Sequence, residues 1–174
     1  MNTTSQRITI RPATADHAAA IQEIYAHYVL HTTASLEEVP PTVTDIITRM
    51  QQSLDHGLPY IVAMIEDMVA GYAYVTPYRS RSAYRYTVEE SVYVAPSHRG
   101  QGIGKRLLSH LITCCQEKGY RQMLAVIVGG DNAASLTTHT QCGFTPCGTI
   151  NNAGFKHGIW LDTMLMQRDL QTDS

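Results

Sequence analysis

Gly100, Gly102 and Gly104 fall at every second position between Arg99 and Lys105, and this run is the part of the chain best equipped to hold a ligand. Glycines leave backbone N–H groups bare, so a ligand can approach them closely. Behind the run, Ile103, Leu107, Leu108, Leu111, Ile112 and Cys115 recur at helical spacing, and Gly119 is a natural stop. The positive dipole end of that helix points into the loop. Ahead of it, Val92-Tyr93-Val94 reads as a strand, followed by a turn through Pro96. Strand, glycine loop and helix start together make an anion site suited to a pyrophosphate.

Two common phosphate loops fit poorly. A Walker loop needs Ser or Thr after Gly-Lys to hold a metal, and Arg106 stands there. A dinucleotide loop needs glycines in the G-x-G-x-x-G pattern directly after a strand, where this chain has Gly100, Gly102 and Gly104, then Leu107, with a turn through Pro96 in between, and an acidic residue about 20 residues on at a strand end. Glu117 lies near that distance but at a helix terminus.

The elements that position this loop follow from periodicity. The 174 residues, 44% apolar with net charge −2, suggest one domain with one core and no general attraction to nucleic acid or a membrane surface. No apolar run approaches the roughly 20 residues of a membrane span, and the polar first residues lack the apolar core of a signal peptide. Cys114, Cys115, Cys142 and Cys147 do not resemble a disulfide framework, so they are read as reduced thiols of a cytoplasmic protein. The eight histidines are read as scattered, and no metal site is expected.

Strands are expected at 8–10, 60–65, 69–75, 91–94, 123–128, 144–150 and 160–167. Helices are expected from 18 to 29, from 43 to 57, after Gly102, and from 132 to about 141. Residues 169–174 read as a loose polar tail beyond a core of about 7–167. The order is β-α-α-β-β-β-α-β-α-β-β, an α/β (α+β) domain with a mixed central sheet and helices on both faces. Taken alone, Asn132 is a helix N-cap, Glu89 and Glu90 are solvated charges at a strand start, and Trp160 is a core residue.

The order, the segment Arg99-Gly100-Gln101-Gly102-Ile103-Gly104 and the segment Asn132-Ala133-Ala134-Ser135, with Gly143-Phe144 after its helix, resemble the GNAT acyltransferase superfamily. Finer segments resemble its phosphinothricin acetyltransferase branch, whose members acetylate phosphinothricin, methionine sulfoximine or methionine sulfone: Ile10-Arg11-Pro12-Ala13, Tyr78-Arg79-Ser80-Arg81-Ser82-Ala83-Tyr84, Ser91-Val92-Tyr93-Val94 and Lys156-His157-Gly158-Ile159-Trp160-Leu161-Asp162. The resemblance implies a GNAT fold, acetyl-CoA as co-substrate, no metal, an amino-acid-like small-molecule acceptor and a homodimer. It assigns the cofactor to Arg99, Gly100, Gln101, Gly102, Ile103, Gly104, Lys105, Asn132 and Ser135, with backbone N–H groups of Val92 and Val94 at the thioester.

The same resemblance makes Glu89 the base, placed just before the strand, and leaves Glu90 a solvated neighbour. The superfamily carries a tyrosine seven residues after the asparagine; here His139 stands there, so His139 and Tyr93 are both candidates for the acid. Arg79 and Arg81, with Tyr84, match the acceptor loop, and guanidinium forks suit a carboxylate or a tetrahedral polar head. Lys156 and His157 are expected to close the pocket. Some family members wall the acceptor site with an aromatic residue between positions 33 and 40; this chain has Leu36, followed by Glu37-Glu38. Rival readings are a GNAT acting on a peptide N-terminus or a polyamine, and a non-catalytic acetyl-CoA sensor. The arginine loop argues against a polyamine, and Glu89 argues against a sensor.

Overall fold

The computed structural model describes residues 7–129 and 132–171. It contains the strands β1 (Ile8–Pro12), β2 (Tyr60–Ile65), β3 (Met68–Pro77), β4 (Thr87–Val94), β5 (Gln122–Val128), β6 (Thr145–Lys156) and β7 (Ile159–Asp169). The helices are α1 (Ala18–His31), α2 (Val43–Asp55), α3 (Ile103–Glu117) and α4 (Ala133–Gln141). Their order is the expected one. One seven-stranded sheet runs β1-β2-β3-β4-β5-β7-β6, antiparallel except for the β4–β5 pair.

Each sheet face buries its own core. On one, α3 lays Ile103, Leu107, Leu108, Leu111, Ile112 and Cys115 over Ile61, Ala63, Val75, Val88, Met123 and Ala125. These helix positions form one stripe, so the helix is held by packing rather than by propensity. Its approach is close: a Cβ on Gly71 of β3 would lie 2.9 Å from the Tyr93 carbonyl oxygen. On the other face, α1 and α2 cover Tyr60, Val62, Met64 and Tyr72 with Ile21, Tyr25, Val29, Ile46 and Met50. The start of α2 is fixed by a capping box, in which the Asp45 N–H donates to the Thr42 hydroxyl and the Thr42 N–H to the Asp45 carboxylate.

Four expectations need correction. Strand β4 begins at Thr87, so Glu89 and Glu90 lie inside it rather than before it. Strand β6 runs on to Lys156, with register shifts at Pro146/Gly148 and Ile150/Gly154. The tail is not loose from 169: Asp169 ends β7, and Leu170 is 2% exposed with its N–H donated to the Arg121 carbonyl. Trp160 is not core. It is 66% exposed and packs on Phe155 across the β6–β7 pair, while strand alternation sends its neighbour Leu161 inward. Residues 172–174 lie outside the described part.

Candidate active site

The loop after β4 has the backbone that the glycine spacing implies. Gly100 and Gly102 both have φ of 76°, and a Cβ on either would meet nothing within 4 Å. The left-handed conformation selects glycine there, and the surface above it is open. Gly102 is the N-cap of α3 and makes no side-chain cap, so the first N–H groups of a fifteen-residue helix remain available. Arg99, Gln101 and Lys105 are exposed around them, with the Arg99 guanidinium 5.3 Å from the Tyr28 ring centre. Ile103 is buried and anchors the loop to the core.

Below the loop the sheet opens. Strand β4 pairs with β5 only from Thr87 to Glu90 and with β3 up to Val94, whereas β5 follows β7 up to Val128. The Tyr86 carbonyl points toward β5, accepting from Arg121 and Gln122. Alternation therefore turns the backbone groups of Glu90, Val92 and Val94 the same way. Val92 and Val94 thus face the gap between the strands. The Tyr28 hydroxyl donates to the Val94 carbonyl at 2.6 Å. Across the gap, the Asn132 side-chain amide donates to the Val128 carbonyl, so Asn132 ties α4 to the end of β5 instead of capping the helix with its side chain. Ser135 lies half-buried one turn into α4. Bare N–H groups, a helix terminus and an open seam fit a pyrophosphate joined to an extended arm ending in an acyl group.

Glu89 and Tyr93 project to the α1/α2 face of β4. Tyr93 packs against Tyr25, Tyr28 and Tyr72, with ring centres 5.1, 5.1 and 5.4 Å away. Burial pushes its phenol well above the ordinary range, so it stays a neutral O–H. Glu89 is half-buried and, among the described residues, makes no ion pair or hydrogen bond. Burial, then the charge of Glu90, raises its carboxyl above the usual carboxylate value. A carboxylate without a cationic partner keeps its basicity. Arg79, Arg81 and Tyr84 are exposed in the β3–β4 connection; Arg79 leans on the Tyr78 ring and Tyr84 meets Tyr78 edge to face.

The segment between α1 and α2 is strapped across this end of the sheet. The Tyr25 and Ser35 hydroxyls lie 2.8 Å apart, and the Thr33 hydroxyl donates to the Gly129 carbonyl at 3.2 Å. Glu37 is forked by Arg49 at 2.6 and 3.0 Å. Leu36 packs on Gly154, where a Cβ would stand 2.9 Å from it. Lys156 is corrected here. It is 1% exposed and donates from Nζ to the Ser35 carbonyl at 2.6 Å, so it secures the strap and has no open route to an acceptor. His157 is exposed at the β6–β7 turn.

Glu90 is also corrected. It is 6% exposed, and its Oε1 lies 2.7 Å from His139 Nε2 on the α3/α4 face of the sheet. The other ring nitrogen, Nδ1, lies 2.7 Å from the Ser135 carbonyl. His139 is therefore a buried, doubly bonded group at the strand-to-strand gap, on the opposite side of β4 from Glu89. Alternation along β4 could have flagged Glu90; the sequence carries no signal for which element would meet it. The histidines are less scattered than expected, since His27 and His31 stand one turn apart on α1 with ring centres 5.3 Å apart. Among the described residues no third ligand-type side chain joins them. A groove of about 600 Å³ between β1 and α3 touches the glycine loop only at Gly102 and is lined otherwise by Ile8, Ile10 and exposed α3 residues.

Comparison with known proteins bears on this geometry. Residues 21–144 match the model of the Acetyltransferase (GNAT) family. The chain is 49% identical to the phosphinothricin N-acetyltransferase of Alcaligenes faecalis over 162 residues, covering 93% of this chain and 82% of that one. It is 40% identical to the L-methionine sulfoximine/L-methionine sulfone acetyltransferase of Salmonella typhimurium, covering 94% and 95%. The crystal structure of a GNAT superfamily phosphinothricin acetyltransferase from Sinorhizobium meliloti, in complex with AcCoA, superposes with a TM-score of 0.90 at 45% identity, covering 93% and 88%.

Proposed function

We propose, from the premise that the chain belongs to the GNAT acetyltransferase family, that it is an acetyl-CoA-dependent N-acetyltransferase for the α-amine of a small amino-acid analogue of the phosphinothricin, methionine sulfoximine or methionine sulfone kind. One observation carries the reading: the half-buried Glu89 carboxylate, without a partner among the described residues, lies on the strand that borders the open β4–β5 seam headed by the glycine loop.

Bound acetyl-CoA supplies an activated acetyl group as a thioester. Gly100, Gly102, Gly104 and the first turn of α3, with Arg99, Gln101, Ile103 and Lys105, hold its pyrophosphate by backbone N–H groups and flanking cations. Asn132 and Ser135 border the arm. The N–H groups of Val92 and Val94 face the seam and donate to an oxygen that gains negative charge there. Arg79, Arg81 and Tyr84 meet the carboxylate and polar head of the acceptor, and Leu36 walls it. Glu89 takes a proton from the acceptor ammonium, directly or through water, and no side chain is acylated. His139, or Tyr93 as a neutral phenol, provides the proton for the departing sulfur.

Ile150, Phe155, Ile159 and Trp160 are each more than half exposed on the β6–β7 hairpin. This apolar patch supports a homodimer joined through that hairpin. All four cysteines are free thiols, which supports a reducing, cytoplasmic setting. The test is thiol release from acetyl-CoA with methionine sulfone, methionine sulfoximine, phosphinothricin, spermidine and a short peptide as acceptors. Turnover of the amino-acid analogues alone, lost in Glu89→Gln, is expected. Turnover of only the peptide or spermidine would overturn the acceptor class.

A further inference from the structure

We infer that Glu90 is a positioning residue for proton transfer: its buried carboxylate holds the His139 imidazole, with a hydrogen on each ring nitrogen, against the β4–β5 seam. The inference rests on the proposed acetyl transfer and deepens it. The Ser135 carbonyl can only accept, so Nδ1 carries a hydrogen. Glu90 Oε1 at 2.7 Å then shares one further proton with Nε2. Both groups are 6% exposed, so water does not compete for that proton. Among the described residues, Glu90 Oε2 is buried without any hydrogen-bond partner. The carboxylate is therefore pinned by the imidazole alone, and the imidazolium charge is what compensates it.

Among the described residues, nothing else nearby plays that part. From β4, Glu89 points to the other face. From β5, the residues packed inward are Met123, Ala125 and Ile127. From α3, the buried face is apolar, while Lys105, Arg106, His110, Glu117 and the C-cap residue Lys118 are exposed. Phe144 meets the ring edge to face. Arg168 of β7, the remaining charged group of this region among the described residues, donates to the Cys142 carbonyl beyond the end of α4. Burial works against a charged His139, but the Glu90 bond and charge and the Ser135 carbonyl outweigh it and raise its affinity for a proton.

One residue thus bears on both halves of the reaction. The acceptor ammonium loses two protons in becoming an amide; the sulfur, which takes the electron pair of the broken C–S bond, gains one; one is released. Glu89 handles the first of these on one face of β4. The Glu90–His139 pair holds the proton for sulfur on the other, and is reloaded from solvent when product leaves. The negative charge of Glu90 also makes Glu89 easier to protonate. Replacing Glu90 by a neutral isostere is therefore expected to lower both limbs of the pH profile together, which a purely structural role would not do.

The test begins with the unaltered protein free of acetyl-CoA, using ¹⁵N-histidine spectra with His139 assigned through His139→Gln. Both ring nitrogens are expected to remain protonated to a higher pH than those of an ordinary exposed histidine in the same spectra. A His139 ring that turns neutral at the same pH as an exposed histidine, or below it, would overturn the inference. Glu90→Gln, which keeps the shape, is expected to move the alkaline limb of kcat/KM to lower pH and the acid limb down with it, with Glu90→Asp restoring part of the shift. A Glu90→Gln profile that superimposes on the parent would overturn it. Full activity in Glu89→Gln would instead sink the proposed base, and the nitrogen spectra would still decide the Glu90–His139 pair.

Discussion

The two ends of the site are built differently. The end proposed for the pyrophosphate is one contiguous run, from Val92 to Lys105, and what it offers is backbone: two left-handed glycines, an uncapped helix start and the N–H groups of a splayed strand. The proposed acceptor end is assembled from three distant segments, namely the strap at 32–42, the loop at 79–85 and Glu89, with the β6–β7 hairpin bracing the strap, and on that reading it recognises through side chains. Backbone recognition tolerates changes in side chains but not in φ. Side-chain recognition can be retuned one position at a time, which is where relatives with different acceptors can diverge without touching cofactor binding.

The largest effect should come from the chemistry between the two ends. Glu89→Gln is expected to lower kcat by ~10²–10⁴-fold while acetyl-CoA still binds, as read by calorimetry. Gly102→Val attacks the pyrophosphate end alone. A branched residue held at φ of 76° costs about 1–2 kcal/mol, so KM for acetyl-CoA should rise roughly tenfold or more with acceptor KM unchanged; equal rises in both would break the division. Lys156→Met cuts the strap from the hairpin and leaves the Ser35 carbonyl without its charged donor. A charged hydrogen bond is worth about 1.5–3 kcal/mol, so acceptor KM should rise several-fold while KM for acetyl-CoA holds still. The smallest effect is a displacement in pH. Glu89 works as the carboxylate, and burial with Glu90 nearby raises its value. Activity should therefore be lost on acidification at a pH above that of an ordinary glutamate, and a limb at or below the ordinary value would mean that Glu89 is solvated.

The same division explains what could be read in advance. The glycine loop, α3 and the order of elements were legible because local spacing dictates them: apolar residues at 3.6-residue intervals, glycines where φ is positive, an apolar run in β5. Lys156 was not, because its partner is the carbonyl of Ser35, 121 positions away, and no pattern announces a backbone acceptor. Glu90 was misread because a charged residue is ordinarily solvated; its burial depends on a histidine 49 positions later being delivered by α4. Trp160 was misread for the opposite reason, since a large apolar side chain is ordinarily inside, and only the end of the β6–β7 hairpin, beyond the helices, leaves it out.

That exposed tryptophan is the one Trp in the chain. Intrinsic fluorescence is therefore a single-site optical report on the exposed surface of the β6–β7 hairpin, outside the buried cores. Emission from dilute protein should be that of a hydrated indole. A shift toward the blue with rising protein concentration would follow two copies closing over this face, and acetyl-CoA added to a fully associated sample should leave it nearly still.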